Sequence, residues 1–538
     1  MTRQKRLDLV ILVVSVALVG LYEMSGGGGF PLDDSWIHQG YARNLAEGGE
    51  WSLVAGTASA AATSPLYVIL LAIGYKTGIA YPLWTLALGA AVLALLGMLL
   101  ARMSACLCSC NAQWYWLPPV LTLGTWHLIW SAVAGMETIL FCTLTTALIY
   151  WAWRTCLQRS SALSSGHAIT LGLLSGLVTL TRPEGALLGA LVLVSVMASE
   201  VSPGLKAKPL ASGRKAQPGA GGATGVKPPG TTRARLAAFA SIALLTFAVI
   251  VFPYVHFNWT LTGSLLPASA SAKLQQQQIL LGTPFATRII GIVIPVFAGA
   301  QILLLPGLAV YTQLAARGRF RLPVLMAILP LFWVVALVLL YAARLPAAYQ
   351  HGRYLIPILP AIILCGGIGL VHALGNLCPR RFSRILSRAW LGATLSCGAV
   401  FTLAVGPAVF RKDVAIVNEE MVRTAQWISA NVAEDDLAAG HDMGAFGYFA
   451  RRSVLDLAGL LSPEVIPILG DAEAVWTLLE SRGVEVLFAF PDQIPGGTSA
   501  DKRLCLVFST EGRAARAAGG QNMSVYRLDW RGNCPQDE

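Results

Sequence analysis

Long apolar runs recur along the chain and alternate with short polar segments. They cover residues 7–24, 83–103, 113–131, 137–153, 167–181, 184–199, 236–257, 287–315, 322–343, 354–375 and 389–410. A run of about 20 apolar residues has the length of a helix that crosses a membrane. The pattern therefore predicts a mainly α-helical polytopic membrane protein with about 11 transmembrane helices. A further run at residues 65–80 is predicted either to lie against the outer face or to be re-entrant.

Basic residues collect in the polar segments on one side of these predicted spans. Lys and Arg crowd residues 201–235, 317–321 and 380–388, and the positive-inside rule places such loops in the cytoplasm. The N-terminal MTRQKR and the apolar run after it look like a signal peptide, but no small-residue cleavage site follows. We therefore expect an uncleaved first span with a cytoplasmic N-terminus. The segments expected on the outer side are residues 25–64, 258–286, 344–353 and everything after 411.

The last 127 residues differ in character from the rest, and we call residues 412–538 the tail. A helical pattern covers residues 419–432 and another covers 471–483, whereas residues 451–459 and 484–490 read as strands. Alternating helices and strands predict a small soluble α/β domain on the outer side, attached to a transmembrane domain formed by residues 1–411. Within the latter, the segment 201–235 is rich in Gly, Ala, Pro and Lys and is predicted to be a disordered cytoplasmic loop.

Composition agrees with a membrane protein and excludes a nucleic-acid partner. Of the 538 residues, 55% are hydrophobic and only 12% are charged, about half of the charged share of a soluble protein. The net charge of +11 comes from a few loops, as expected beside anionic lipid. No basic stretch is interleaved with aromatic residues on a soluble module, so we expect the bilayer, and no nucleic acid, as a partner.

Two cysteines, Cys505 and Cys534, lie in the tail. If the tail is in an oxidising compartment, a disulfide between them is plausible. Free thiols remain the alternative.

Polar segments near the ends of the predicted spans share the outer side. They are residues 30–64, 131–138, 181–185, 261–273 and 349–357. Polar and ionisable groups at membrane depth are energetically unfavourable and usually mark a functional pathway. We therefore expect a functional site that faces outward.

The first outer segment contains two adjacent carboxylates, Asp33 and Asp34, before a short amphipathic helical pattern. One aspartate is explained as the N-cap of that helix, which Gly48 would end. Two are not, because one cap is sufficient. Asp34 and His38 are four residues apart and share a helix face. A carboxylate there could accept a proton from a hydroxyl group, or Asp33, Asp34 and His38 could hold a divalent metal such as Mg²⁺ or Mn²⁺.

Several segments resemble, in the same order, those of bacterial GT-C-fold glycosyltransferases that use polyprenyl-phosphate sugars, the mannosyltransferase and arabinofuranosyltransferase group. They are LDDSWIHQGYARNLAEGGEWS with ATSPLY, AGMET, TRPEG, TGSLLPASASAK, HGRYLIPILP and HDMGAFGYFARRSVLDLAGLLSPEV. The resemblance covers most of the chain between Leu7 and Pro467. One departure is Ala268-Ser269, where relatives often have Asn-Thr, which puts the sugar or acceptor contacts in doubt.

The resemblance implies a GT-C-like membrane domain that transfers a sugar from a lipid phosphate to a glycan, lipid or protein acceptor, with inversion. By analogy, the acid of the first outer loop, Asp34 or Asp33, is the catalytic base, or in some members a metal ligand. The leaving group is an anionic lipid phosphate, which needs fixed cations. The candidate cations on the expected outer side are Arg353, Lys273 and Arg182.

Seven further residues of these motifs are candidates for substrate binding. They are His38, Glu137, Glu184, His351, Tyr354, His441 and Asp442. Each has a simpler interpretation as well, such as pairing of Glu184 with Arg182, or snorkelling of arginines to lipid headgroups.

Two other functions remain open from the sequence. The chain could be a transporter or flippase for a lipid-linked saccharide, or a non-catalytic membrane subunit that binds glycans through the tail. It shows no evident repeated halves, which many secondary transporters have.

Overall fold

The computed structural model describes residues 2–107, 114–158, 163–201, 229–265, 267–376 and 381–534, and most of the predicted loop at 201–235 lies outside these ranges. The fold is mainly helical, with a sheet in the tail. The helices are α1 Arg3–Gly26, α2 Asp33–Gly48, α3 Pro65–Lys76, α4 Tyr81–Leu107, α5 Leu117–Leu123, α6 Trp126–Val133, α7 Thr138–Leu157, α8 Ser165–Thr181, α9 Gly185–Val201, α10 Pro229–Thr262, α11 Ala268–Gln276, α12 Gln278–Leu281, α13 Phe285–Val293, α14 Leu305–Ala316, α15 Val324–Arg344, α16 Tyr349–Gly352, α17 Leu359–Asn376, α18 Arg381–Val400, α19 Gly406–Val417, α20 Arg423–Asn431, α21 Met443–Ala445, α22 Ala472–Ser481 and α23 Arg513–Ala517. The strands are β1 Ser52–Val54, β2 Thr57–Ala58, β3 Ala438–Gly440, β4 Val454–Asp456, β5 Val486–Ala489, β6 Leu504–Ser509 and β7 Ser524–Leu528.

Within the described ranges, six helices are long and apolar enough to cross a membrane, and the number rises to eight if each of two bent helix pairs is one span. The bent pairs are α6 with α7, at 118°, and residues 285–297 with residues 300–316, at 105°. Three shorter apolar helices, α3, α8 and α9, are 12 to 17 residues long. A multi-pass membrane protein is therefore supported, whereas the predicted number of about 11 spans is not established.

The run at 287–315, predicted as one span, is broken near Gly299. This glycine has φ of 150°, a conformation that side chains with a Cβ rarely adopt. The carbonyl groups freed by the break receive hydrogen bonds from side chains. Trp126 Nε1 donates to Ala298 at 2.6 Å, and His127 Nε2 donates to Pro295 at 3.0 Å. The break is tolerated at membrane depth because protein donors replace the missing helical bonds.

The predicted span at 389–410 and the predicted tail helix at 419–432 form one helix. Residues 384–431 continue for 48 residues through α18, α19, α20 and two short π-helical segments. The change from apolar to amphipathic sequence near residue 411 therefore does not coincide with a break in the backbone. As a result, the tail is joined to the membrane domain by a helix and not by a flexible linker.

The tail contains a five-stranded sheet in the order β4-β3-β5-β7-β6. β3 is parallel to β4 and to β5, whereas β7 is antiparallel to β5 and β6. The sheet core contains Trp476, Leu479 and Leu487, all buried. The strands at 454–456 and 486–489 and the helix α22 fall within the predicted segments, and β6 and β7 were not predicted.

A disulfide joins Cys505 of β6 to Cys534, near the end of the described chain, with a Cα–Cα distance of 5.0 Å. Its sequence separation is 29 residues. A cross-link across such a loop reduces the conformational entropy of the unfolded chain.

We expect the double substitution Cys505→Ser/Cys534→Ser to destabilise the tail by about 3 kcal/mol, because the unfolded chain regains that entropy. The measurement is the Tm of the full chain in detergent, with limited proteolysis to locate the unfolding. Cys365→Ser, at a buried free cysteine, is the control for a loss of sulfur alone. Equal proteolysis of the tail in the double variant and the wild type would contradict the expectation.

Candidate active site

A cavity of about 240 Å³ lies where α2, α7, the turn between α8 and α9, α11 and α15 meet the segment before α17. Most of its wall is apolar, and charged side chains are concentrated in it. Its charged lining residues are Asp34, Glu137, Glu184, Arg182, Lys273, Arg344 and Arg353. Among the predicted residues, His38 and Tyr354 also line it. Sequence segments that are far apart in the chain therefore converge on one cavity.

Asp34 forms two ion pairs in this cavity through the same oxygen atom. Its Oδ2 accepts from Lys273 Nζ at 2.9 Å and from Arg353 Nη2 at 2.5 Å. Burial alone would raise the pKa of Asp34, but the two cations hold its pKa well below the usual range. The predicted acid and two of the predicted cations are thus in direct contact, and the carboxylate is ionised.

Asp33 points away from this cavity and into the tail. Its two carboxylate oxygens accept the backbone N–H groups of Gly444 at 2.6 Å and Ala445 at 2.8 Å. Burial, followed by the charge of Asp442, raises the pKa of Asp33 to about 7 against the effect of the two N–H groups. Of the two candidate bases, only Asp34 faces the cavity.

Neither aspartate caps its own helix. α2 begins at Asp33 itself, with Leu32 at the N-cap position and no side-chain cap, and ends with Gly49 as the left-handed C-cap. The prediction of an aspartate N-cap is therefore wrong, whereas the predicted end of the helix at Gly48 is confirmed. The reason is tertiary: Asp33 instead caps the first turn of the 443–450 helix, which is formed by α21 and a π-helical segment.

Arg353 follows a strained turn that directs it into the cavity. Gln350, His351 and Gly352 have φ of 53°, 59° and 69°, and this left-handed conformation costs about 1–2 kcal/mol for a residue with a Cβ. His351 Nε2 donates to Asp413 Oδ2 at 2.7 Å. His351, a predicted substrate-binding residue, therefore contacts α19 and is not among the residues that line the cavity.

A second ionic cluster lies in the cavity beside Asp34. His38 Nε2 donates to Glu137 at 3.2 Å, and Arg182 Nε lies 3.7 Å from both Glu137 and Glu184. Tyr341 accepts from Arg182 Nη2 at 2.9 Å and donates to Glu184. The predicted pairing of Glu184 with Arg182 is therefore present, and the pair is part of a larger network.

Tyr354 connects the two clusters. The Arg182 guanidinium lies 5.4 Å and the Arg353 guanidinium 5.0 Å from the centre of its ring, within the range of a cation–π contact. The cavity thus has two arginines that face one aromatic residue.

His441 and Asp442 lie in the tail, outside the lining of this cavity. Gln493 Nε2 donates to Asp442 at 2.8 Å, and His441 lies 3.2 Å from Gln276 of α11. Burial would lower the pKa of His441, but Asp442 and neighbouring carboxylates raise it. His441 therefore contacts α11, the helix that carries Lys273.

The proposed metal ligands do not converge. Asp33 is bonded to backbone N–H groups, Asp34 to two cations and His38 to Glu137. Across the described ranges, no three His, Cys, Asp or Glu residues are grouped as a metal site would require. Because these donors are already committed, the residues do not fit Mg²⁺ or Mn²⁺ here, and we derive no step through a metal.

Sequence reasoning missed Tyr341 and Arg344 of the cavity wall, and it noted Ser269 only as a departure from the motif of the relatives. Arg344 is the last residue of α15. The sequence places it just after the predicted span 322–343, on the same expected side as Arg353, and this position could have identified it as a further cation of the site. The Ser269 hydroxyl is buried without a partner among the described residues. The same is true of Arg353 Nη1. Both are free to bind a ligand oxygen.

Comparisons with known proteins agree with this fold. A family model described as a domain of unknown function (DUF8728) matches residues 412–526. By sequence, no curated protein matches the chain. ArnT from Cupriavidus metallidurans, solved with bound undecaprenyl phosphate, is similar in structure with a TM-score of 0.57 at 14% identity, over 98% of each chain.

Two other solved structures are similar. The oligosaccharyltransferase AglB from Archaeoglobus fulgidus, in complex with an inhibitory peptide and a dolichol-phosphate, has a TM-score of 0.55 at 11% identity, over 95% of this chain and 74% of AglB. The arabinofuranosyltransferase AftD from Mycobacteria has a TM-score of 0.50 at 14% identity, over 100% of this chain and 42% of AftD. The chain therefore has the GT-C fold, and the resemblance that its motifs indicated is confirmed at the level of the fold.

We expect Asp33 to make the stability of the protein depend on pH. Its pKa is raised to about 7 in the fold, against about 4 in an unfolded chain, so the folded protein binds this proton more tightly. The contribution is present below about pH 4 and is lost as the pH rises through 7. Comparing Tm of the wild type and Asp33→Asn between pH 5 and 8 tests this. A fall in Tm of the same size in both proteins would exclude Asp33 as its source.

Proposed function

We propose that the protein is a glycosyltransferase that moves a sugar from a polyprenyl-phosphate donor to an acceptor hydroxyl at the outer face of the membrane. The observation that carries this proposal is the contact of Asp34 with Arg353 and Lys273 inside one cavity. Such a transfer needs a base at the acceptor hydroxyl and cations at the leaving phosphate. Bound undecaprenyl phosphate in ArnT and dolichol-phosphate in AglB support this donor class.

The cations bind the phosphate of the donor. Arg353 has a buried Nη1 without a partner among the described residues, and a guanidinium can hold two phosphate oxygens. Lys273 adds a point charge, and the exposed Arg344 at the wall adds another. Charge that develops on the leaving phosphate is thereby stabilised by groups already in position.

Binding of the donor also changes Asp34. In the unliganded arrangement the two cations lower its pKa and make it a poor base. A phosphate group that draws Arg353 and Lys273 toward itself weakens both ion pairs, so the pKa of Asp34 rises and its proton affinity increases. The base is therefore activated only when the leaving group is in place.

In the transfer step, Asp34 accepts the proton of the acceptor hydroxyl while that oxygen attacks the anomeric carbon. The bond between this carbon and the phosphate oxygen breaks, and its electron pair remains on the lipid phosphate. Attack from the side opposite the leaving group inverts the anomeric centre. The network of His38, Glu137 and Glu184 is available to hold sugar hydroxyls.

The acceptor is a glycan, lipid or protein, and His441 and Asp442 of the tail are candidates for contacts with it. We place the protein in a bacterial inner membrane with a cytoplasmic N-terminus and the tail on the periplasmic side. This orientation follows from the basic loops.

We expect Asp34→Asn to reduce transfer about 10²- to 10⁴-fold, because the amide cannot accept the proton. Transfer is measured in proteoliposomes from a radiolabelled polyprenyl-phosphate sugar. Asp8→Asn is the matched control, since Asp8 also pairs with an arginine, Arg102, at 3.0 Å but away from the cavity. Full activity of Asp34→Asn would rule out this residue as the base. Movement of the labelled lipid across the bilayer without sugar transfer would identify a flippase instead.

We expect Arg353→Gln and Lys273→Gln to raise the KM for the donor about 10- to 100-fold, because each removes a charge-assisted contact with phosphate. Arg102→Gln serves as the control for loss of an arginine. Initial rates at varied donor concentration measure the effect, and unchanged donor KM in both variants would exclude the phosphate site.

A further inference from the structure

We propose that the tail is a positioning domain that holds both sides of the Asp34–Arg353 ion pair, through Asp413 on one side and the 443–450 helix on the other. This inference rests on the proposed function, and it assigns a role to a region that matches a family model of unknown function.

The first connection runs from Asp413 to Arg353. Asp413 Oδ2 accepts from His351 at 2.7 Å and from Trp130 Nε1 at 3.0 Å. The His351 ring is also packed edge-on against Trp126 and Trp130, with ring centres 5.3 Å apart in each case. His351 is therefore fixed on three sides, although it does not line the cavity.

Fixing His351 fixes the turn that delivers Arg353. Gln350, His351 and Gly352 are consecutive left-handed residues, a conformation that a free loop would leave. Gly352 also packs tightly, since a Cβ there would lie 2.7 Å from Val296. The next residue in the chain is Arg353, so release of His351 from Asp413 would let the guanidinium move away from Asp34.

The second connection runs from the 443–450 helix to Asp34. Backbone N–H groups of Gly444 and Ala445 hold the carboxylate of Asp33, the residue directly before Asp34. A Cβ at Gly444 would collide with the Asp33 carbonyl oxygen. The absence of a side chain at residue 444 is therefore what allows this close approach.

Further contacts keep the 443–450 helix against α2. Arg43 Nη1 donates to the Tyr448 carbonyl at 2.9 Å, and its guanidinium lies 4.3 Å from the centre of the Tyr448 ring. Gly447 packs closely against Leu53, since a Cβ on residue 447 would lie 2.5 Å from a Leu53 side-chain carbon. The 443–450 helix thus holds α2 at Asp33 and at Arg43, and it also packs against β1 at Leu53.

Both connections originate in the tail, which begins at residue 412. Asp413 is its second residue and lies on α19, and Gly444 follows β3. The same region therefore sets where the base and the main cation point. Asp413, His351 and Gly444 are positioning residues: they act through Arg353 and Asp34 and touch no substrate.

The first test separates positioning from general stability. We expect Asp413→Ala to raise the donor KM about 10-fold and to weaken binding of undecaprenyl phosphate by a similar factor, with Tm close to that of the wild type. Asp413→Asn keeps one acceptor oxygen and should recover part of the loss. Asp436→Asn is the matched control in the tail, because Asp436 pairs with Arg527 at 2.8 Å on the surface.

Combining substitutions shows whether the effect runs through Arg353. In an Arg353→Gln background, Asp413→Ala should change the donor KM less than 2-fold. An undiminished 10-fold effect in that background would overturn the first connection. If Asp413→Ala fails to fold, His351→Asn replaces it, since asparagine tolerates the left-handed conformation but cannot reproduce the imidazole contacts.

The second connection has a different kinetic signature. Gly444→Ala should lower kcat about 10-fold and change the donor KM less than Asp413→Ala does, because it displaces the base directly and the cations only through the base. Gly520→Ala, at an exposed tail position with no close side chain, is the control. Wild-type kcat in Gly444→Ala would overturn this connection. Absence of transfer by the wild type would instead refute the proposed function itself.

Discussion

The ion pairs of Asp34 with Arg353 and Lys273 are the interaction on which the cavity depends. Isolated charges in a poorly solvated cavity are strongly unfavourable, so each needs the other. One carboxylate against two cations leaves one positive charge in excess at this point. The three side chains therefore stabilise one another without a ligand. Their excess positive charge and the unpartnered Arg353 Nη1 nevertheless favour the binding of an anion.

The two adjacent aspartates show how one short motif serves two purposes. Successive residues at the start of a helix point in different directions, so Asp34 faces the cavity and Asp33 faces the tail. Asp33 satisfies backbone N–H groups of another helix, and Asp34 meets cations. A rigid peptide unit joins the two residues, and it couples the position of the tail to the position of the Asp34 carboxylate.

Helix breaks place the charged residues at the cavity. The bend between α6 and α7 brings Glu137 inward, and the left-handed turn before Arg353 does the same for the guanidinium. A regular helix would satisfy its own backbone but could not point side chains from its end into a lateral cavity. Buried partners such as Trp126 and His127 compensate for the backbone groups that such breaks expose.

Local sequence predicted the membrane character and a tail that contains helices and strands. It also predicted that Asp34, Lys273 and Arg353 lie on the same side. These features can be predicted from the length of the apolar runs, the charge of the loops and the short motifs, because each of these signals depends only on residues that are close in the chain. The choice between Asp33 and Asp34 and the contact of His351 with Asp413 could not be predicted in this way. These were decided by contacts between residues that are 62 to 411 positions apart in the chain, where the fold alone determines which partner a side chain meets.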